Sequence, residues 1–188
     1  MSQKDQQQAQ RPEEDEELIK YADIFSRIQE NVLNQSPQVS GDQSSEGETK
    51  ETGNKEQRAV SIGDALEAAA ITAGQKAVDR SDAAAIQAVE VRATGQTNIM
   101  PKGLAATAQS AAQTNARTTT KDKVTLAHIL LDAKAKLPKD RAVTRQDAQG
   151  VVGAELRNNP NIATYPGGVA ASMVAAARIN QNLLQSAK

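Results

Sequence analysis

This 188-residue chain is predicted to be all-α, with two tandem helical repeats of about 65 residues behind a largely disordered acidic arm that contains one amphipathic helix. Three observations predict it. The second half is written twice. Its segments are rich in alanine, the strongest helix former, and open on good cap residues. No run of strand length alternates β-branched and polar residues.

The repetition keeps one register. Val78-Asp79-Arg80-Ser81-Asp82-Ala83 returns as Val143-Thr144-Arg145-Gln146-Asp147-Ala148, 65 residues on. Glu90-Val91-Arg92 returns as Glu155-Leu156-Arg157, and Pro101-Lys102-Gly103-Leu104-Ala105-Ala106 as Pro166-Gly167-Gly168-Val169-Ala170-Ala171. Upstream, Val60-Ser61-Ile62 returns as Val124-Thr125-Leu126 with an offset of 64, so the second copy gains one residue in the loop between these matches. The chain divides into an arm (1–58), a first repeat (59–123) and a second (124–188).

Residues 1–12 are polar and Gln-rich, without the apolar core of a signal peptide. A helix is expected over about 14–34, because Leu18, Tyr21, Phe25, Ile28 and Val32 fall at helical spacing behind the acidic run Glu13–Glu17. That face can pack on the repeats or dock into a partner's groove. Its acidic polar face argues against a membrane surface. Residues 36–58 hold one large apolar residue, Val39, and read as a flexible linker.

Each repeat then reads as three segments. The first is capped by Ser61 or Thr125, and the acid that completes a capping box, Asp64, becomes His128 in the copy. Gly74 and Pro138 close these segments. The second is capped by Asp79 or Thr144, each with an aspartate three residues on. Gly150 and Gly153 weaken the second copy by roughly 1 kcal/mol each relative to alanine. Glu90 and Arg92 do not face each other on a helix, so their recurrence as Glu155 and Arg157 points to separate contacts. The third segments, Gly103 to Asn115 and Gly168 to Asn180, carry small alanine faces where helices can approach closely.

Composition limits the core. Hydrophobic residues make up 38% of the chain, but 33 of them are alanine, and there are no Trp, one Phe and two Tyr. Alanine removes little surface from water, so marginal stability is expected. Two repeats are also fewer than most solenoids need. Either they close as a compact pair or a homo-oligomer supplies the missing neighbour.

Most chemistries lack their residues. No cysteine is present, so disulfides, thiolate nucleophiles and Cys-based zinc sites are excluded. The lone His128 has neither metal co-ligands nor a serine partner. Asp79 and Asp82 read as helix caps rather than cation ligands, and Gly167-Gly168 as a turn rather than a phosphate loop. No catalytic, cofactor-binding or metal residues are therefore expected, and no cofactor. The arm carries a net charge of −6 and the remainder +5. That excess is thin and without stacking aromatics, so no specific nucleic acid is expected as a partner. No apolar run reaches the ~20 residues of a membrane span. The expected compartment is the cytoplasm, the nucleus or both, without secretion.

The strings Val60-Ser61-Ile62-Gly63-Asp64-Ala65-Leu66-Glu67-Ala68, Val78 to Ala88, Glu90-Val91-Arg92-Ala93-Thr94-Gly95 and Pro166-Gly167-Gly168-Val169-Ala170-Ala171 resemble the seed maturation protein family, one group of plant late embryogenesis abundant proteins. The resemblance covers about residues 59–182. It implies accumulation in maturing seed, a role in tolerating water loss, and no catalytic residues. It also implies that the region from Asp23 to about Ser40 is the remnant of a further copy. The expected function is thus non-enzymatic protection of cell components during desiccation, with client proteins or sugars contacted non-specifically on drying. The rival is a helical interaction module that docks a partner through residues 18–32. A weaker rival is an enzyme using Asp79, Asp82 or His128.

Overall fold

The computed structural model describes residues 11–34, 58–119 and 121–187, with side chains described from residue 16 to 30 in the first helix. Eight helices lie in these residues: α1 (Arg11–Asn34), α2 (Ile62–Thr72), α3 (Arg80–Thr94), α4 (Leu104–Arg117), α5 (Leu126–Leu130), α6 (Ala133–Lys136), α7 (Arg145–Asn158) and α8 (Val169–Ser186). The all-α reading holds. The arm outside α1, and the linker expected over 36–58 up to residue 57, lie outside the described residues.

Local sequence sets the helix starts. Ser61, Asp79 and Thr144 each accept a backbone N–H from the residue three positions on, and that residue's carboxylate (Asp64, Asp82, Asp147) accepts the cap's own N–H. At Thr125 the returning acceptor is His128, whose Nδ1 lies 3.4 Å from the Thr125 nitrogen. The third helices start without such help, since Gly103 and Gly168 have no side chain to offer.

Several boundaries differ from the sequence reading: α1 starts at Arg11 rather than about 14, and α4 runs past Asn115 to Arg117. The first segment of the second repeat is broken, because Asp132 leaves helical geometry (φ −116°, ψ 36°). The N–H of Lys134 turns to Glu67 Oε1 on α2 instead (3.2 Å). The two helices nearly touch there: a Cβ on Gly63 would sit 2.9 Å from the Lys134 Cα, which is why glycine stands at that position. The last helix also runs past Asn180 to Ser186.

The repeats do not stack as two separate bundles. The first helix of each packs on the third helix of the other: α2 on α8, and α5 on α4. The second helices, α3 and α7, cross at the centre, and each also packs on the third helix of its own repeat. The chain crosses over through two short backbone pairings. Ser61 bridges Ala142, and Ala77 bridges Thr125, with Ile62 N to Arg141 O and Leu126 N to Lys76 O both 2.9 Å. Shifted by the repeat offset, each bridge becomes the other. The compact pair is therefore an interlocked pair related by an approximate two-fold.

Two buried asparagines clamp these bridges. Asn180 on α8 accepts the Val60 N–H (2.7 Å) and donates to the carbonyls of Val60 and Val143 (2.8 and 2.9 Å). Asn115 on α4, 65 residues earlier, accepts the Val124 N–H (2.9 Å) and donates to the carbonyls of Val78 and Val124. A buried backbone polar group must find a partner, and these side chains supply it where no longer strand exists.

Helix α1 breaks the symmetry. It packs on α2 and α8, with Tyr21, Phe25 and Ile28 in the core and Leu18 half-buried at its edge. The side chain of Val32 lies outside the described residues. Ser172 of α8 donates to the Tyr21 hydroxyl (3.4 Å) and Ala175 is buried beside it; their counterparts on α4 are the exposed Thr107 and Ser110. A second helix like α1 has no apolar seat on that side.

Candidate functional site

The fold concentrates its buried charge where α3 crosses α7, in two clusters related by the repeat offset. In one, Arg141 grips Asp147 with both nitrogens (2.7 and 2.8 Å), and Thr144 completes the shell. Arg92, on the other repeat, brings its guanidinium to 4.0 Å from the same carboxylate. It reaches across α7 over Gly150, where a Cβ would stand 1.7 Å from Nη2, so the mid-helix glycine makes room for it. In the other cluster Lys76 stands where Arg141 would, pairing with Asp82 and Asp79 and lying 5.1 Å from the Tyr165 ring centre.

The two aspartates respond in opposite directions. At Asp147 burial works upward, but the Arg141 bonds and then those of Thr144 outweigh it and hold the carboxyl at about 2. At Asp82 burial dominates and raises the carboxyl; Lys76 opposes it, while the charge of Asp79, where the second repeat has Thr144, adds to it. A lysine is a single point donor and cannot span both oxygens as a guanidinium does. Asp82 Oδ1 is accordingly buried without a hydrogen-bond partner. Lys76→Arg should supply the second donor and stabilise the fold by about 1 kcal/mol, read as a higher urea midpoint at constant slope. No gain would mean that the arginine fork does not reach Asp82.

Two further carboxylates act as remote caps. Glu90 on α3 accepts the Ala105 N–H of α4 (2.7 Å). Glu155 on α7 accepts the N–H groups of Tyr165 (2.7 Å), in the turn before α8, and of Ala170 (3.2 Å), in its first turn. Anions at helix N-termini are favourable, and they replace the capping side chain that Gly103 and Gly168 lack. The repeated Glu-x-Arg thus makes separate contacts. Burial raises the Glu155 carboxyl, against the two N–H bonds that lower it.

These shifts give a pH profile. Glu67, Asp82 and Glu155 are raised, chiefly by burial, so each carries stability that is fully present below its unfolded value and lost as pH climbs through its folded one. Asp147 is depressed from 3.8 to about 2, so its contribution, on the order of 2 kcal/mol, is present above 3.8 and lost as pH falls through about 2. The urea midpoint should rise as pH falls from neutral toward the unfolded glutamate value of 4.5, then drop below 3.8 as Asp147, and with it the likewise depressed Asp79 and Asp64, takes up its proton. A monotonic fall from neutral pH would refute it.

The expected site residues have these places. Ser61, Asp79, Thr125 and Thr144 stand at the N-caps. His128 is exposed and serves the Thr125 cap. Tyr21, Phe25 and Ile28 are covered by the chain's own α2 and α8. Asp79 and Asp82 serve the α3 cap and Lys76, a different set of contacts from that of His128. Lys76, Arg141, Asn115 and Asn180 were missed by reasoning from sequence, although each pair recurs at the same offset of 65.

A shallow cleft opens between α7 and α8, floored by Ala148, Val152, Val174 and Ala177. In the first repeat the counterparts of Val152 and Val174 are Gln87 and Gln109, which hydrogen-bond each other across the gap (3.0 Å). Among the described residues no group of three or more His, Asp or Glu is placed to hold a metal ion. No helix among them is long and apolar enough to cross a membrane.

Comparison with known proteins agrees with this duplicated architecture. The seed maturation protein family matches residues 60–118 and 124–183. Late embryogenesis abundant protein D-34 of Gossypium hirsutum is 64% identical over 136 residues, which is 72% of this chain and 52% of that protein. Late embryogenesis abundant protein 47 of Arabidopsis thaliana is 54% identical over 170 residues, 90% of this chain and 83% of its own length. Late embryogenesis abundant protein 49 of Arabidopsis thaliana is 36% identical over 126 residues, covering 66% of this chain and 72% of its own. The chain thus spans about half the length of the cotton relative. No solved structure matches it.

Proposed function

Because this chain belongs to the seed maturation protein family of late embryogenesis abundant proteins, we propose that it protects cell components, without catalysis, while seeds mature and dry. The supporting observation is how the fold is held. Of the 36 buried apolar residues among those described, 18 are alanine, so hydrophobic burial is modest for the size. Alongside them stand buried Asp64, Asp82, Glu90, Asn115, Asp147, Glu155 and Asn180, engaged in caps, clamps and ion pairs. Loss of water weakens the hydrophobic term and strengthens hydrogen bonds and charge pairs. A fold weighted toward the second kind keeps its helices as water leaves. It then offers polar helix faces to client proteins or sugars, in the cytosol, the nucleus or both.

The competing reading, a module that docks a partner through residues 18–32, has less support. Tyr21, Phe25 and Ile28 are already buried in this chain, so docking through them requires α1 to leave.

The test is a drying series. A desiccation-sensitive enzyme is dried and rehydrated with the protein, or with equal mass of an unrelated globular protein, while helicity is followed by infrared spectroscopy. The proposal expects helicity to hold or rise and client activity to survive better than in the control. Helicity that falls on drying, or protection no better than the control, refutes it.

A further inference from the structure

We propose that the protein exchanges repeats between copies, so that the first repeat of one chain pairs with the second repeat of another. The inference is independent of the protective role. It rests on the interlock. The first helix of each repeat finds its packing partners mainly in the other repeat: α2 against α8, α5 and α6, and α5 against α2 and α4. Ile62, Ala65 and Leu66 are fully buried there. Both bridges, Ser61–Ala142 and Ala77–Thr125, run between repeats, and Asn180 clamps Val60 of the other repeat. A repeat on its own leaves these groups unpartnered, so it accepts any second repeat that carries them.

A second copy carries all of them. The closed and exchanged forms would make the same contacts, including those of α1, which precedes the first repeat and lands on α8. They differ only in the path of residues 118–123, the single covalent link between repeats. Of that link, Thr119, Lys121, Asp122 and Lys123 are exposed. Helix, bridge and clamp contacts therefore cancel between the two forms, and the balance is left to link geometry and concentration.

The test refolds the full chain from denaturant over a range of concentrations and measures mass by light scattering. The dimer-to-monomer ratio should rise about tenfold for each tenfold rise in free monomer. Removing residues 119–122 should shift the chain to dimers, and a long Gly/Ser insertion there should return it to monomers. A chain that stays monomeric throughout, shortened link included, overturns the proposal. Should the shortened chain fail to fold, full-length Glu90→Ala and Glu155→Ala chains are refolded together. Exchange rebuilds one intact pair from them, so a transition at the wild-type midpoint appears in the mixture and in neither variant alone. Two variant transitions and nothing more would overturn it.

Discussion

Replacing Asn180 with alanine is expected to destabilise the fold by about 4 kcal/mol, a large part of what a domain of this size possesses. The amide makes three hydrogen bonds, to Val60 N, Val60 O and Val143 O, and it is 7% exposed. Truncation leaves three backbone groups without a partner, and each buried orphan costs roughly 1–3 kcal/mol. Water entering the space would recover a portion. Asn180→Asp separates hydrogen bonding from volume: it keeps the acceptor for Val60 N but sets a carboxylate against two carbonyl oxygens, so it should be as harmful as alanine. Asn115→Ala should cost less, about 2–3 kcal/mol, because Val124 is only half-buried and its groups can reach water. Urea unfolding of the three variants, extrapolated to water, checks both size and order. A loss below about 1 kcal/mol for Asn180→Ala would show that the bridge holds without its clamp.

These asparagines mark the boundary of what could be read beforehand. Helix caps depend on residues three apart, so Ser61, Asp79 and Thr144 were legible with their acids. The period of 65 was equally plain, because it needs only the order of residues. The interlock was not legible, since two repeats joined by a short link satisfy the same pattern whether each closes on itself or on its neighbour. Asn115 and Asn180 looked like the polar ends of alanine-rich segments. Only their partners, 37 residues apart in one case and 120 in another, reveal the role. A conserved register between copies was the one available signal: polar residues that recur at the same offset inside apolar faces are candidates for buried contacts.

The charge clusters likewise leave little trace in the sequence. Lys76 and Arg141 lie in loops before the caps, where a cation is unremarkable by composition. Their importance comes from the crossing of α3 and α7, which buries Asp82 and Asp147 to 1% and 3% exposure. The broken first segment of the second repeat is similar. Leu126–Lys136 holds good helix formers, but the contact of Lys134 with Glu67 and the close backbone approach at Gly63 accompany a break at Asp132 that divides it into two short helices.

Glu155→Ala should cost about 3 kcal/mol, and the pH dependence of Glu155→Gln should show why. The carboxylate is fully buried and serves the Tyr165 and Ala170 N–H groups where α8 begins on glycine. Alanine removes the anion from the helix start, leaves both donors unpaired and opens a void. Glutamine fills the space and keeps one acceptor oxygen, but its NH2 confronts the second donor, so a cost of about 2 kcal/mol is expected. The two variants also differ from wild type in their response to acid. Burial raises the Glu155 carboxyl, so the wild-type fold gains from protonating it as pH falls toward the unfolded value of 4.5. Glutamine cannot take up that proton. The stability gap between wild type and Glu155→Gln should therefore widen as pH falls from neutral toward 4.5. A residue that only filled space would leave the gap constant, and a constant gap in paired urea titrations would reduce Glu155 to that lesser role.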